Sequence, residues 1–373
     1  MKRSLILASL CACMTAAAVM TTLAYETEGG TMTASMTTVQ SDIDTAKISE
    51  EAEIVETASC GENARWTFYS NGLLEINGSG EMTSCEYKED YLTDITEVVF
   101  SDEITLICGG AFEGCSNLTT VTLPDSLETI CSNAFYTCSK LESIEIPNGT
   151  TSIENSAFDD CTALETITIP ESITNMGDGV FSGCNTLSYV IFNGQLEEIA
   201  NGTFNCCFNL TKINIPNSVK RIGDWAFNSC KALTEVTLPN SLETIGNQAF
   251  YHCEALKSII IPDSVTSIGE EAFHTCVNLS TVTLPANMDT IAGGAFCECS
   301  SLTNVIIPEG VTYIKDWAFA DCPALTEVML PNSLENIGVL LLKSYLSGKQ
   351  DREQIIVSCN TGMVRSQGPL EME

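Results

Sequence analysis

Residues 226–248 read AFNSCKALTEVTLPNSLETIGNQ, and Ala249 and Phe250 begin the same pattern again. The pattern returns at every 23rd position and occurs ten times without an insertion. Its phenylalanines are Phe112, Phe135, Phe158, Phe181, Phe204, Phe227, Phe250, Phe273, Phe296 and Phe319. Counted from each phenylalanine, cysteine falls at +3, leucine at +6, Val or Ile at +9, an apolar residue at +11, and Ile or Met at +18. So strict a register indicates one structural unit that repeats.

Stacking is the physical solution for such a unit. A single repeat has too few apolar side chains to close its own core, so the pattern predicts a solenoid whose coils share one continuous core. The alternation from +6 to +11 predicts a short strand. Proline ends it at +12 in nine copies, with Asn193 as the exception, because proline cannot donate to a strand ladder.

The pattern A-F-x-x-C-x-x-L-x-x-[VI]-x-[LI]-P-x-S-[LV]-x-x-I-G resembles the BspA-type leucine-rich repeat over about residues 89–338. The resemblance implies a leucine-rich-repeat horseshoe, a curved right-handed coil with short parallel β-strands. The segment before it, with Trp66 and Phe68 facing Leu74 and Ile76 across an Asn-Gly turn, resembles the family's N-terminal cap. Alternation on both sides of that turn predicts a β-hairpin.

The N-terminus has the features of an export signal. Residues 2–3 are basic, residues 5–19 are mostly apolar, and Thr22 and Ala24 place small side chains at a cleavage site. An uncleaved membrane anchor is the alternative, because residues 5–24 are about long enough to span a bilayer. We expect cleavage, and therefore a protein that is secreted or displayed at the cell surface.

The remaining boundaries follow from composition and from the repeat. We expect a signal peptide at 1–24, a flexible Thr/Ser/Glu-rich spacer at 25–59, a β-hairpin cap at 60–88, a solenoid of one degenerate and ten regular repeats at 89–338, and an irregular C-cap and tail at 339–373.

Charge narrows the range of partners. The chain of 373 residues has 49 acidic and 16 basic side chains, a net charge of −33, which argues against nucleic acids and anionic membrane surfaces. Since 17% of residues are charged and 44% are hydrophobic, the composition is also unlike that of a disordered acidic chain.

Nineteen cysteines are present. Redox or metal chemistry is one interpretation; the other is a ladder of buried free thiols, which we favour because a residue needed in every coil serves packing. The ladder comprises Cys115, Cys138, Cys161, Cys184, Cys207, Cys230, Cys253, Cys276, Cys299 and Cys322. Outside it, Cys60 could pair with Cys85 and Cys108 with Cys131. No metal site and no cofactor are expected.

Side chains at +8 and +10 flank the inward +9 residue and should point outward, on the expected concave face. Most are Thr or Ser, as β-propensity alone explains. The tentative ligand-binding residues are the apolar exceptions, and the alternative is that scattered apolar residues are normal on strands. They are Tyr189, Ile191, Ile260, Ile306 and Met329.

Other conspicuous residues have simpler explanations. Trp225 and Trp317 share one column and could stack on a sugar, but covering the seam between coils is favoured. His252 and His274 are interpreted as surface residues. No nucleophile elbow, phosphate loop or zinc-protease motif is present, so we expect no catalytic residues and no enzyme.

The leading hypothesis is a non-catalytic recognition protein that binds a protein or glycoprotein through the concave face. The resemblance implies adhesion, because BspA-like proteins are associated with attachment to host matrix proteins and with coaggregation of bacteria. The alternatives are an extracellular scaffold without a specific ligand, and a targeting module of a carbohydrate-active assembly.

Overall fold

The computed structural model describes residues 52–85 and 91–338, together with the backbone of four strands at 20–28, 31–39, 356–359 and 362–363. The chain divides into two units, Met1–Glu53 and Ile54–Glu373. In the first unit, β1 (Met20–Glu28) pairs antiparallel with β2 (Thr31–Val39). Residues 1–19 of the predicted signal peptide lie outside the described residues, so its cleavage stays a prediction.

The second unit starts with an antiparallel cap of β3 (Ile54–Ser59), β4 (Asn63–Tyr69) and β5 (Leu73–Glu81). Trp66 lies opposite Ile76 and Phe68 opposite Leu74, which is the predicted hairpin. Its third strand, β3, falls inside the predicted spacer, so ordered structure begins before residue 60. The alternation of that strand is too weak to show in the sequence.

The cap continues into the solenoid through parallel pairing. Strand β5 pairs with β6 (Glu97–Phe100) and with β7 (Glu103–Ile107). These two strands belong to the degenerate first coil. Strand β5 is therefore the junction between the two kinds of pairing: it is antiparallel to β4 in the cap and parallel to β6 and β7 in the first coil.

One side of the coils, called here the strand face, carries the strands around +9. They are β8 (Thr120–Thr122), β11 (Thr166–Ile169), β13 (Tyr189–Phe192), β15 (Lys212–Asn214), β17 (Glu235–Thr237), β19 (Ser258–Ile260), β21 (Thr281–Thr283), β23 (Asn304–Ile306) and β25 (Glu327–Leu330). Pairs are parallel and join equivalent positions of neighbouring coils, as in Lys212 with Glu235. The coil from Phe135 has no strand here, although Ile144 and Ile146 are buried in the same columns.

A second row of two-residue strands forms at +17 and +18. They are β9 (Thr129–Ile130), β10 (Ser152–Ile153), β12 (Asn175–Met176), β14 (Glu198–Ile199), β16 (Arg221–Ile222), β18 (Thr244–Ile245), β20 (Ser267–Ile268), β22 (Thr290–Ile291), β24 (Tyr313–Ile314) and β26 (Asn336–Ile337).

The described residues contain no helix with the length and apolar character that crossing a bilayer requires.

The phenylalanines form the centre of the core. All ten are buried, and neighbouring rings stack with centroids 5.1–5.8 Å apart and planes within 21° of parallel. Phe100 of the first coil meets Phe112 edge to face at 5.9 Å, so the cap side closes the stack. Each ring is thus covered by the equivalent rings of neighbouring coils, as the repeat predicts.

A tight turn on each side of the phenylalanine brings it inward. The residues at −2 and +2 have positive φ, for example Trp225 at 56° and Ser229 at 60°. Between these bends the phenylalanine N–H donates to the next coil, as from Phe227 to the carbonyl of Ala249 at 2.8 Å. The left-handed backbone conformation is unfavourable for residues other than glycine. The repeated hydrogen bonds between coils stabilise these turns.

The C-terminal segment departs from the predicted irregular tail. Strand β27 (Ile356–Cys359) pairs parallel with β25, and β28 (Gly362–Met363) pairs antiparallel with β27. The strand face is therefore extended beyond the last regular coil. Residues 339–355 lie outside the described residues.

Asn193 provides a test of the strand ladder. It stands where the other coils have proline, and its N–H donates to the carbonyl of Ile169 at 2.9 Å. Replacing Asn193→Pro restores the pattern of the other repeats but removes this donor, so the free energy of unfolding should fall by about 1 kcal/mol or more. Urea unfolding followed by circular dichroism measures the change.

Asn193→Ala is the matched control, because the side chain of Asn193 is exposed and alanine keeps the N–H. Its stability should be close to that of the parent chain. A proline variant as stable as the alanine variant would contradict a contribution from the hydrogen bond.

Candidate functional site

The strand face presents two outward columns. In β15, β17, β19 and β23 the central +9 residue is buried and its two neighbours are exposed, because successive side chains of a strand point to opposite sides. The +8 and +10 columns are thus available to a partner over consecutive coils.

The predicted ligand-binding residues all lie in these columns and are exposed. Their exposed fractions are Tyr189 45%, Ile191 41%, Ile260 71%, Ile306 64% and Met329 37%. Burial of such side chains by a partner would be favourable, since each is apolar.

Three of the five, Ile260, Ile306 and Met329, lie with Thr283 in one column. We call these four residues the C-terminal apolar stripe. Ile260 lies opposite Thr283 in the β19–β21 pair, and Ile306 lies opposite Met329 in the β23–β25 pair. The four residues occupy +10 in consecutive coils, so at a strand spacing of about 4.8 Å the stripe extends roughly 14 Å.

Polar side chains border the stripe. The adjacent +8 column contains Ser258 opposite Thr281 and Asn304 opposite Glu327, and all four are exposed. An apolar centre beside a polar rim is the usual anatomy of a protein interface.

The other two predicted residues lie apart from the stripe. Tyr189 and Ile191 share β13, and three coils separate Ile191 from Ile260 in the +10 column. Tyr189 is opposite Lys212, which forms an ion pair with Glu235 at 3.2 Å. The structure therefore separates the predicted set into one stripe and one isolated pair beside charged residues.

Comparison with protein families agrees with this architecture. The BspA type Leucine rich repeat region, six copies long, matches residues 81–205, 164–276, 197–300 and 221–345. The chain belongs to the BspA-type leucine-rich repeat family. Membership is consistent with a surface or protein-binding repeat protein. No curated protein matches the chain.

The chain is similar to several solved leucine-rich repeat structures. A leucine-rich repeat protein from Bacteroides ovatus is 27% identical, with 74% of this chain and 90% of that chain covered and a TM-score of 0.53. One from Eubacterium ventriosum is 24% identical, with 79% and 96% covered and a TM-score of 0.50. A leucine rich cell surface protein from Faecalibacterium prausnitzii is 26% identical, with 79% and 96% covered and a TM-score of 0.47.

The two column tryptophans lie in the turn at −2 rather than on the strand face. Trp225 is 47% exposed and its Nε1 donates to Oε1 of Gln248 at 2.6 Å, and Trp317 is 39% exposed. Gln248 in turn donates to Glu271 at 2.8 Å. Trp225 thus starts a side-chain ladder that runs across consecutive coils.

The cysteine column is buried in the core in all ten coils. From Cys138 to Cys322, nine thiols donate to the phenylalanine carbonyl of the preceding coil, with Sγ–O distances of 3.1–3.2 Å. A thiol is small enough for this place and can satisfy the carbonyl, which explains the column without redox chemistry.

The two cysteine pairs considered above, Cys60 with Cys85 and Cys108 with Cys131, lie near the cap, and their pairing stays a prediction. The Cys85 thiol donates to the carbonyl of Gly109, next to Cys108, with a distance of 3.9 Å. Cys60, Cys85, Cys108 and Cys131 are all free thiols in the structure. Cys85 therefore lies beside Cys108, which belongs to the first coil.

A cavity of about 710 Å³ opens on the turn side at Gly293 and Gly294. It was not predicted from the sequence. His274 lies in its wall, and burial lowers the pKa of this imidazole despite the carboxylates of Glu298 and Glu271. No local motif marks this cavity, because its lining residues come from different coils.

The thiol column predicts a loss of stability in alkali. Burial raises the pKa of Cys115 from 9.0 to about 12, and that of Cys322 likewise to about 12. A raised pKa contributes stability that is fully present below pH 9 and is lost as the pH rises toward 12, because unfolded thiols ionise first. Urea unfolding at about pH 8 and about pH 10.5 should show a drop of roughly 2 kcal/mol per such thiol.

Two variants of one coil isolate the contribution of a thiol. Cys115→Ala should make the drop between the two pH values smaller by about 2 kcal/mol. Leu118→Ala removes a buried side chain that does not titrate, so it should lower stability equally at both. An unchanged drop in Cys115→Ala would contradict a raised thiol pKa.

Proposed function

We propose that this protein is a non-catalytic recognition protein that binds another protein through the C-terminal apolar stripe. The observation that carries the proposal is the exposure of Ile260 and Ile306, the two most exposed large apolar side chains of the described residues. Thr, which other coils have at +10, would suit the strand equally well, so isoleucine there is best explained by a partner.

The stripe has the dimensions of an interface centre. Burial of one isoleucine side chain contributes about 1.5–3 kcal/mol, and a few buried anchors supply most of the affinity in protein complexes. A stable interface covers about 800 Å² on each partner, which is more than four side chains provide. The polar +8 column and the neighbouring coils would supply the remainder.

Electrostatics restrict the partner to a neutral or basic surface. The net charge of −33 repels anionic partners at a distance, and Glu327 lies at the rim of the stripe. A protein with an apolar patch bordered by Lys or Arg fits this face.

Export and adhesion extend the proposal. The export signal predicted at residues 1–24 supports display outside the cell, where a family associated with attachment to host matrix and to other bacteria would act. The spacing of the carboxylates in the outward columns also favours binding over glycoside hydrolysis. Glu145, Glu235 and Glu327 are four coils apart in turn, roughly 19 Å, whereas glycosidase carboxylates lie within about 9.5 Å of each other.

The test uses the purified chain on a sensor surface. Soluble host matrix proteins, mucin and surface extracts of neighbouring bacteria are passed over it, and the dissociation constant is measured for each retained protein. For a partner of the stripe, Ile260→Lys with Ile306→Lys should raise this constant at least about tenfold, because two buried anchors are replaced by charges.

Thr122→Lys with Thr168→Lys is the matched control. It adds the same charge to exposed +10 positions of the same face but outside the stripe, so binding should be unchanged. An equal loss of binding in both variants would indicate that the added positive charge, and not the loss of the stripe, weakens the complex. Binding that neither variant alters would place the site elsewhere, and the absence of any partner would favour the scaffold.

A further inference from the structure

The turn side of the solenoid carries a polar ladder that breaks at one coil. At −3, each Asn or Asp accepts the backbone N–H of the next coil through its Oδ1, with distances of 2.7–3.0 Å. The accepting residues are Asn155, Asp178, Asn201, Asp224 and Asn247. Glu270 follows, and then the column reaches Gly293, which has no side chain.

The next position of the same coil is also glycine. The −2 column reads Trp225, Gln248, Glu271, Gly294 and Trp317. The column therefore lacks a side chain between Glu271 and Trp317. Both residues line the cavity of about 710 Å³. The paired glycines therefore leave the opening, and a Cβ at Gly294 would come within 3.0 Å of Cγ of Glu271.

Three groups that bind metals converge at this cavity. The imidazole of His274, the thiol of Cys297 and the carboxylate of Glu298 each offer a ligand atom, and these atoms lie within 4.8 Å of one another. His274 and Cys297 occupy +1 of consecutive coils, and Glu298 follows at +2. Stacking thus joins residues from two successive repeats, a spacing that local metal motifs do not contain.

The imidazole of His274 lacks the hydrogen bonds expected of a buried polar group. Its Nδ1 is buried without a hydrogen-bond partner, and its Nε2 is 3.8 Å from Oε1 of Glu298, beyond hydrogen-bond distance. Tyr251 holds the ring from the preceding coil at a centroid distance of 5.0 Å. The Nε2 atom is the ring nitrogen that faces Glu298 and makes no hydrogen bond to it, so it can serve as a metal ligand.

The donor set selects the kind of metal. One nitrogen, one sulfur and one oxygen suit Zn²⁺, whereas Mg²⁺ and Ca²⁺ prefer oxygen alone. Tetrahedral Zn²⁺ with bonds of about 2.0–2.3 Å places its ligand atoms roughly 3.3–3.6 Å apart. The ligand atoms, within 4.8 Å of one another, would move closer together when the ion binds.

We propose that His274, Cys297 and Glu298 bind one Zn²⁺ ion, with water in the fourth position facing the cavity. Cys297 then serves as a ligand, unlike the cysteines of the core column, and the expectation that the chain has no metal site is replaced. The ion would bridge the coils that begin at Phe273 and Phe296.

The charge around the cavity favours a cation. Carboxylates of Glu270, Glu271 and Asp321 line it, and the lysine in its wall, Lys315, forms an ion pair with Glu270 at 3.2 Å. The remaining negative charge attracts a divalent ion electrostatically.

Metal binding is tested with the full chain, reduced and freed of metal. Zn²⁺ is titrated by calorimetry, and Co²⁺ serves as the probe, since its absorption reveals thiolate and tetrahedral ligation. We expect one ion per chain, a thiolate-to-Co²⁺ band, and a higher Tm with Zn²⁺. Cys297→Ser should abolish the band, and His274→Gln should weaken Zn²⁺ binding at least about tenfold.

The chain contains its own matched controls. Cys206→Ser and His252→Gln alter a cysteine outside the cluster and the second histidine, and both variants should retain the band, the affinity and the Tm increase. Circular dichroism verifies that each variant is folded. Absence of stoichiometric binding, or a band that survives in Cys297→Ser, or affinity unaltered in His274→Gln, would overturn the proposal.

Discussion

Stacking of phenylalanine on phenylalanine is the constraint on which the rest of this structure depends. A ring covered on both faces by rings 5.1–5.8 Å away needs every coil to deliver its own ring at the same point of the turn. An inserted residue would displace one ring and expose two others. The cysteine at +3, the leucine at +6 and the strand around +9 therefore keep constant sequence distances from each phenylalanine.

Much of the fold follows from this constraint and could be predicted from the sequence. The +3 and +6 columns are buried in all ten coils, and the +9 and +18 columns in most of them. Recurrence of one residue type in every coil predicts this burial, and a single sequence shows such recurrence as well as an alignment would. The cap hairpin was equally predictable, since Trp66 and Phe68 alternate opposite Leu74 and Ile76. Outward side chains at +8 and +10 follow from strand geometry alone.

The remaining features depend on contacts that the repeat pattern does not contain. Positive φ at −2 and +2 is occupied by residues as different as Trp225, Ser229 and Thr275, so no residue type marks the bends. Strand β3 has little apolar alternation and pairs only because β4 offers an edge. The cavity arises because Gly293 and Gly294 have no side chains. The repeat pattern predicts which side chains recur in each coil, and so it does not predict a gap between them.

Under tension, the stack would come apart one coil at a time. The backbone of each coil is hydrogen-bonded to the coils before and after it, so a pull along the chain loads the outermost coil first. Its detachment would release one repeat, roughly 75 Å of extended chain, while the coils behind it keep their rings stacked and their strands paired. A protein built this way can lengthen many times over while its remaining coils stay folded.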